Sequence, residues 1–135
     1  MNLFAYGTLI DPEIIRRAAG ELPLCRWATL EGYERKAMRG KTYPGLRKKK
    51  GASVRGVLYF DLSAGAWDRL DLFEGEMYVR EEVAVCLDNG PTAPAWVYVT
   101  APAFLGELSS EGWEYEEFRR RGKDDFEELY EGFDR

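Results

Sequence analysis

Residues 3–11 read LFAYGTLID, an apolar run that halts at Tyr6, passes through Gly7 and Thr8, and gives way to Asp11-Pro12-Glu13. Leu3 to Tyr6 read as a buried strand. Asp11 offers a carboxylate N-cap, Pro12 the first helical position and Glu13 an acid in the first turn. A helix over Asp11–Ala19 is therefore predicted, closed by Gly20. Gly7 and Thr8 then fall in a tight strand-to-helix junction. Such a junction can turn several backbone N–H groups toward one point, which suits an anion or an oxyanion. It can equally be a turn that joins two packed elements, and this stretch alone leaves both readings open.

Further strands are predicted at Leu24–Leu30 and Tyr33–Arg39, separated by Glu31-Gly32, and at Val54–Asp61. Two more follow at Met77–Leu87 and Ala95–Thr100, joined by the turn Asp88-Asn89-Gly90-Pro91. On Met77–Leu87, the residues Met77, Val79, Val83, Val85 and Leu87 mark one apolar face, with Glu81 the exception on it. Lys41–Gly51 carries too many turn formers and charges for a regular element. Ser63 caps a second helix that runs through Phe73 or Glu74, with Trp67, Leu70 and Phe73 on one side. Strands dominate the middle without a regular βαβ alternation. An α+β fold with a mainly antiparallel sheet follows, and curling that sheet into a small barrel would remove its exposed edges. After Ser109-Ser110 the texture changes. Trp113–Arg120 reads as a short helix, and Phe126, Leu129, Tyr130 and Phe133 recur at i, i+3, i+4 and i+7 of another. The chain is read as one domain over 1–135, with about 109–135 a helical appendage docked on it.

The 135 residues are 45% hydrophobic and 14% aromatic, which supports a packed core. A net charge of −5 argues against general nucleic-acid binding. Arg47-Lys48-Lys49-Lys50 reads as a solvated loop and Arg119-Arg120-Arg121 as a salt-laced surface. No run approaches the roughly 20 apolar residues of a membrane span, and no leader is read at the N-terminus. A cytoplasmic protein with neither membrane nor nucleic-acid partners is expected, with Cys25 and Cys86 as reduced core residues. The chain has no histidine. That removes Ser-His-Asp and Cys-His arrangements and every His-ligated metal site, and leaves proton chemistry to carboxylates, tyrosines, lysines or a cysteine.

The second informative stretch is RLDLFEGEMYVR, Arg69–Arg80. Gly75 is a natural helix C-terminal residue, so Glu74 lies in the last turn. The negative end of the helix dipole disfavours a carboxylate there by about 0.3–1 kcal/mol. The same field raises its pKa, and burial would raise it further. A glutamate lifted toward neutrality is a usable general base and acid; the other open reading is an exposed helix end whose Glu74 meets a nearby arginine. Asp71 and Glu76 are its rivals, Asp71 as a partner of Arg69 or a lysine and Glu76 as a residue facing water. Gly40-Lys41-Thr42 looks like the end of a phosphate loop, but position 35 carries arginine where that loop needs glycine.

FAYGTL at the start, with LDLFEG followed by MYVR, resembles the γ-glutamylcyclotransferase-like superfamily, and within it the AIG2-like, γ-glutamylaminecyclotransferase-type branch. ATLEGYER, TYPGL, VRGVLYFDL, AWVYV and GWEYEEF extend the likeness over most of the chain. The resemblance implies a small mixed β-barrel flanked by helices. It also implies release of 5-oxoproline from γ-glutamyl compounds, with no metal or organic cofactor. It places a loop that holds the γ-glutamyl group on Tyr6, Gly7, Thr8 and Leu9, the catalytic glutamate on Glu74, and a following tyrosine on Tyr78. YGTL stands where members acting on γ-glutamyl dipeptides carry YGSN, which points away from that substrate.

The chemistry agrees with a chain that lacks histidine. In a γ-glutamyl amide the α-amine attacks its own γ-carbonyl and closes a five-membered ring, so the substrate brings its own nucleophile. What remains is to deprotonate an amine of pKa near 8, hold a folded conformer and stabilise an oxyanion. The expected partner is thus a small γ-glutamyl substrate. Two other readings stand beside it. One is a cyclotransferase for a γ-glutamyl-acylated biosynthetic intermediate. The other is a non-catalytic AIG2-like module that binds a small carboxylate or a protein. A protonatable, buried Glu74 beside the loop favours the enzyme, and an exposed, ion-paired Glu74 the module.

Overall fold

Strand β1 (Leu3–Ala5) alternates as a strand must: Phe4 points into one hydrophobic cluster while Leu3 and Ala5 point into another. All three residues are buried because β1 is covered on both faces. The computed structural model describes residues 1–135. After β1 come α1 (Pro12–Ala19), β2 (Cys25–Ala37), β3 (Pro44–Tyr59), α2 (Ala64–Glu74), β4 (Tyr78–Leu87), β5 (Thr92–Thr100), α3 (Tyr115–Arg121) and α4 (Lys123–Leu129). The strands form a closed barrel in the order β1-β3-β2-β4-β5. Every pairing is antiparallel except the one that closes it, where β1 meets β5 in parallel at Leu3 and Trp96. The expected α+β fold with a small, mainly antiparallel barrel and flanking helices is what the chain adopts.

One cluster is supplied by strands and by Tyr6 at the end of β1, with Phe4, Leu30, Leu46, Leu58 and Val97 among its members, and fills the barrel. The second lies between the barrel and the helices. It joins Leu3, Ala5, Val57 and Tyr59 to Ile14 and Ile15 of α1, Trp67, Leu70 and Phe73 of α2, and Phe118 and Phe126 of the C-terminal helices. Burying each such side chain contributes about 1.5–3 kcal/mol. Phe118 and Phe126 are 4% and 2% exposed, so the C-terminal helices dock through them.

Local signals held where they were strong. Asp11 Oδ1 accepts from Glu13 N (2.9 Å) and Ile14 N (3.3 Å), and Gly20 ends α1 with φ 80°. Ser63 caps α2 through Ala66 N at 3.1 Å. Elsewhere the structure corrects the sequence. Glu31-Gly32 does not divide two strands; it lies within one strand, β2, at a register shift where Gly32, at φ 84°, stands alone opposite residues 49–52 of β3, the strand that carries the extra residues. Lys41–Gly51 is not irregular from Pro44 onward, and Arg47–Lys50 are not a loop. They lie on β3, where Arg47 and Lys48 pair through the backbone with Glu34 and Tyr33 of β2 and Lys49 and Lys50 fall in a register shift; all four side chains are exposed, and Arg47 Nε is 2.6 Å from Glu34 Oε1. On β4, Val85 packs inside the barrel, but Val79 is exposed, and Met77 belongs to a preceding 3₁₀ turn and packs on the other cluster. Glu81 is tolerated on that face because it accepts the Tyr33 hydroxyl at 3.1 Å. Cys25 and Cys86 are free but exposed, on strands whose outer faces meet water rather than a helix. The last aromatic run is not one helix: α4 stops at Leu129, which is exposed, and Glu131–Asp134 forms a 3₁₀ turn. No helix is long and apolar enough to cross a membrane.

Candidate active site

The chain leaves β1 at Tyr6 and turns through a 3₁₀ segment, Thr8–Ile10, before α1 begins. Within that segment Ile10 N donates to Gly7 O and Asp11 N to Thr8 O. The N–H groups of Gly7, Thr8 and Leu9 make no backbone hydrogen bond, as expected for the first donors of a helical turn. Three adjacent free donors of this kind are the arrangement that can receive an anion or an oxyanion. The loop is held from behind: the Tyr59 hydroxyl donates to Leu9 O (2.7 Å) and Ile10 O (3.3 Å), and Arg35 Nη1 donates to Tyr6 O (2.8 Å).

Helix α2 delivers Glu74. Arg80 on β4 fastens this helix to the barrel. Its guanidinium lies 4.9 Å from the Trp67 ring and 5.5 Å from the Trp96 ring, and its Nε is 3.0 Å from Asp71 Oδ1. Asp71 also accepts the Tyr98 hydroxyl at 2.7 Å, so this rival carboxylate pairs with Arg80 and Tyr98 and not with Arg69 or a lysine. Glu76 is exposed. Gly75, at φ 73°, ends the helix, and its N–H returns to Asp71 O.

Tyr6, Gly7, Thr8, Leu9, Glu74 and Tyr78 all line one narrow cavity of about 30 Å³, together with Tyr43, Pro44, Phe73, Tyr98, Phe126 and Tyr130. Five tyrosines surround the Glu74 carboxyl closely enough to feel its charge. Each hydroxyl is engaged elsewhere. Tyr6 donates to Tyr98 O (2.6 Å), Tyr78 to Pro44 O (2.7 Å), Tyr98 to Asp71, and Tyr130 to the main-chain carbonyls of Phe73 (3.0 Å) and Glu74 (3.4 Å). Tyr43 faces Met77 Sδ at 3.7 Å. Arg135, the nearest cation, gives Nη1 to Phe73 O at 2.9 Å and faces Glu131 at 3.8 Å. Glu74 is therefore not the ion-paired helix end.

Burial pushes the Glu74 carboxyl from its ordinary 4.5 up to about 8; the Arg135 charge pulls against this and Asp71 adds to it. The shift runs in the direction expected of a carboxylate at a helix C-terminus, and desolvation is its largest cause. The same enclosure keeps the Tyr6, Tyr78, Tyr98 and Tyr130 phenols well above their ordinary value, so they stay neutral donors. No cluster of three or more cysteines and carboxylates is placed to hold a metal ion.

Sequence reasoning missed Tyr43, Pro44, Tyr98 and Tyr130 as cavity walls, and Arg35 as the support of the loop. TYPGL and AWVYV were visible as motifs, but nothing local says that they face Glu74.

A family model described as gamma-glutamyl cyclotransferase, AIG2-like, matches residues 3–119. AIG2-like protein A of Arabidopsis thaliana is 28% identical over 134 residues, covering 96% of this chain and 78% of that protein. Among solved structures, the chain is similar to an Arabidopsis thaliana protein solved in solution, with TM-score 0.74 and 27% identity over 96% of this chain and 87% of that one. An AIG2-like protein from Mus musculus superposes with TM-score 0.65 at 23% identity, covering 84% and 87%; that likeness is one of fold.

Proposed function

Because the chain belongs to the gamma-glutamyl cyclotransferase, AIG2-like family, we propose that it carries out a cofactor-free intramolecular acyl transfer, releasing 5-oxoproline from a γ-glutamyl amine or related γ-glutamyl compound. The observation that supports this most is the Glu74 carboxyl, unpaired among engaged tyrosines and raised to about 8. A carboxyl raised that far lies much nearer the proton affinity of the substrate's α-amine than an ordinary carboxylate does, so proton transfer between them is closer to balanced, the condition under which a general base works best.

Glu74 as carboxylate takes a proton from the α-ammonium, and the freed amine attacks the γ-carbonyl carbon. A C–N bond forms, and the carbonyl oxygen becomes an oxyanion that the Gly7, Thr8 and Leu9 N–H groups receive. Protonated Glu74 then gives its proton to the leaving nitrogen, the original C–N bond breaks, the new ring nitrogen passes its remaining extra proton to the departing amine, and 5-oxoproline and an ammonium ion leave. The carboxylate is regenerated. Tyr6, Tyr78 and Tyr98 form rigid walls that hold the substrate folded. A carboxylate-binding module would be expected to pair Glu74 with a cation, so the free carboxyl supports the enzyme instead.

The test is 5-oxoproline release across a panel of γ-glutamyl amines. Glu74→Gln keeps the shape and removes the base, and should lower the rate by roughly 10²–10⁴, while Glu76→Gln, on the exposed side, stays mild. Near-wild-type cyclisation by Glu74→Gln would remove Glu74 from the mechanism. A panel with no turnover by the wild type would remove the reaction itself.

A further inference from the structure

Arg35 is the one arginine whose guanidinium reaches the backbone of the loop. It sits on β2, and a single nitrogen, Nη1, donates to Tyr6 O at 2.8 Å and to Arg55 O at 3.1 Å. Its guanidinium lies 5.5 Å from the Trp113 ring. Arg47, Arg55, Arg80 and Arg119 all have a carboxylate at 3.0 Å or less. Arg35 has none within ion-pair distance, although it is only partly exposed; desolvation lowers its pKa, and the charge of Glu114, across a polar cleft and not in contact, pulls the other way. An enclosed cation without a contacting carboxylate is a poor device for stability alone.

The position of the bond matters. In a planar trans peptide the C=O and the following N–H point in opposite directions. A donor fixed on Tyr6 O therefore fixes the Gly7 N–H pointing away from Arg35, on the side where Gly7 lines the cavity. A charged donor on the carbonyl also polarises the peptide and strengthens its N–H as a donor.

We propose that Arg35 is a positioning residue for the oxygen-binding loop: it orients and polarises the Tyr6–Gly7 peptide so that Gly7 N–H serves the substrate oxygen. This rests on the reading of the loop given above. Arg35 touches neither substrate nor reacting atoms and acts through the peptide it holds. It also lines that polar cleft beside Glu34, Ser53, Trp113 and Glu117, which gives solutes access to it.

The experiment compares Arg35→Gln, Arg35→Lys and Arg35→Ala with the wild type. Amide NMR signals of Gly7, Thr8 and Leu9 are followed during titration with 5-oxoproline, beside steady-state rates and melting temperature. Losing a charged hydrogen bond should weaken 5-oxoproline binding and lower kcat/KM by roughly 10- to 100-fold in Arg35→Gln. Arg35→Lys, which keeps a charged donor, should recover most of that. Millimolar methylguanidine entering through the polar cleft should partly restore Arg35→Ala without moving its melting temperature. A merely structural brace predicts the opposite pattern: lower melting temperature in every variant, with loop amides and 5-oxoproline affinity unchanged in whatever remains folded. That outcome overturns the proposal. If the wild type turns over no γ-glutamyl amine, the functional reading fails separately, and acetate replaces 5-oxoproline as probe. Loop amides that respond to acetate alike in wild type and Arg35→Lys, but not in Arg35→Gln, still support Arg35; equal responses in all three overturn it.

Discussion

A Cβ added at Gly7 would come within 2.9 Å of Pro44 Cγ and 3.1 Å of Pro44 Cδ. The pyrrolidine ring cannot swing aside as a flexible side chain would, and the Pro44 carbonyl is already held by the Tyr78 hydroxyl. Gly7→Ala must therefore shift the loop by a few tenths of an ångström or push Pro44 into the cavity. Either movement misplaces the Gly7 and Thr8 donors. The expected result is weaker 5-oxoproline binding and slower turnover, up to roughly 10²-fold, since small misplacements of positioning groups cost that much. Calorimetric titration decides it: an unchanged affinity in Gly7→Ala would mean that the substrate oxygen does not sit on these N–H groups.

At the scale of elements, the site is a meeting of α2 with the C-terminal arm. The Tyr130 ring stacks on Phe126 at 4.6 Å and stands edge-on to Tyr43 at 5.2 Å, and its hydroxyl caps the end of α2 on Phe73 O. Tyr43, Phe126 and Tyr130 also line a larger groove of about 450 Å³ that reaches Glu74 from the other side. These three rings therefore separate the narrow cavity from water. Tyr130→Ala removes much of that partition and rehydrates the carboxyl. With the base raised to about 8, kcat in the wild type should climb with pH through that value. In Tyr130→Ala the limb should move down, toward the ordinary carboxylate range, because desolvation is the leading cause of the shift. There is no histidine to supply a competing limb, and repeating the profile with a substrate of altered amine pKa separates the limb of the substrate's own amine from that of Glu74. A pH–kcat profile of Tyr130→Ala that overlays the wild type would show that the arm does not bury Glu74.

The whole molecule should register the same carboxyl in its stability. Glu74 binds its proton more tightly folded, with a pKa of about 8, than unfolded, near 4.5. A raised folded pKa contributes stability that is fully present below the unfolded value and is lost as pH rises through the folded one. Wild-type stability should therefore decline between pH 4.5 and about 8 relative to Glu74→Gln, which has no proton to lose. Urea denaturation of both proteins at pH 5, 7 and 9 measures the difference. It should widen in favour of Glu74→Gln with rising pH; a constant difference would mean that Glu74 is as solvated in the fold as in the unfolded chain.

What the sequence determined by itself were the features whose causes lie within a few residues. Asp11 and Ser63 mark helix starts because their side chains bond N–H groups two or three residues on. Gly75 marks the end of α2 because the chain needs φ 73° there, and so it placed Glu74 in the last turn. The absence of histidine confined proton chemistry to groups such as Glu74 before any contact was known. Pairing and burial were decided only in three dimensions. Arg47 and Lys48 belong to a strand because β2 offers them backbone partners, which their charges gave no sign of. Cys25 and Cys86 face water because no helix covers their side of the barrel. Tyr130 reaches the end of α2 from 57 residues away. Desolvation depends on every surface that closes over a group, so the carboxyl that the sequence placed at a helix end was raised to about 8 only when the barrel, α2 and the C-terminal arm met around it.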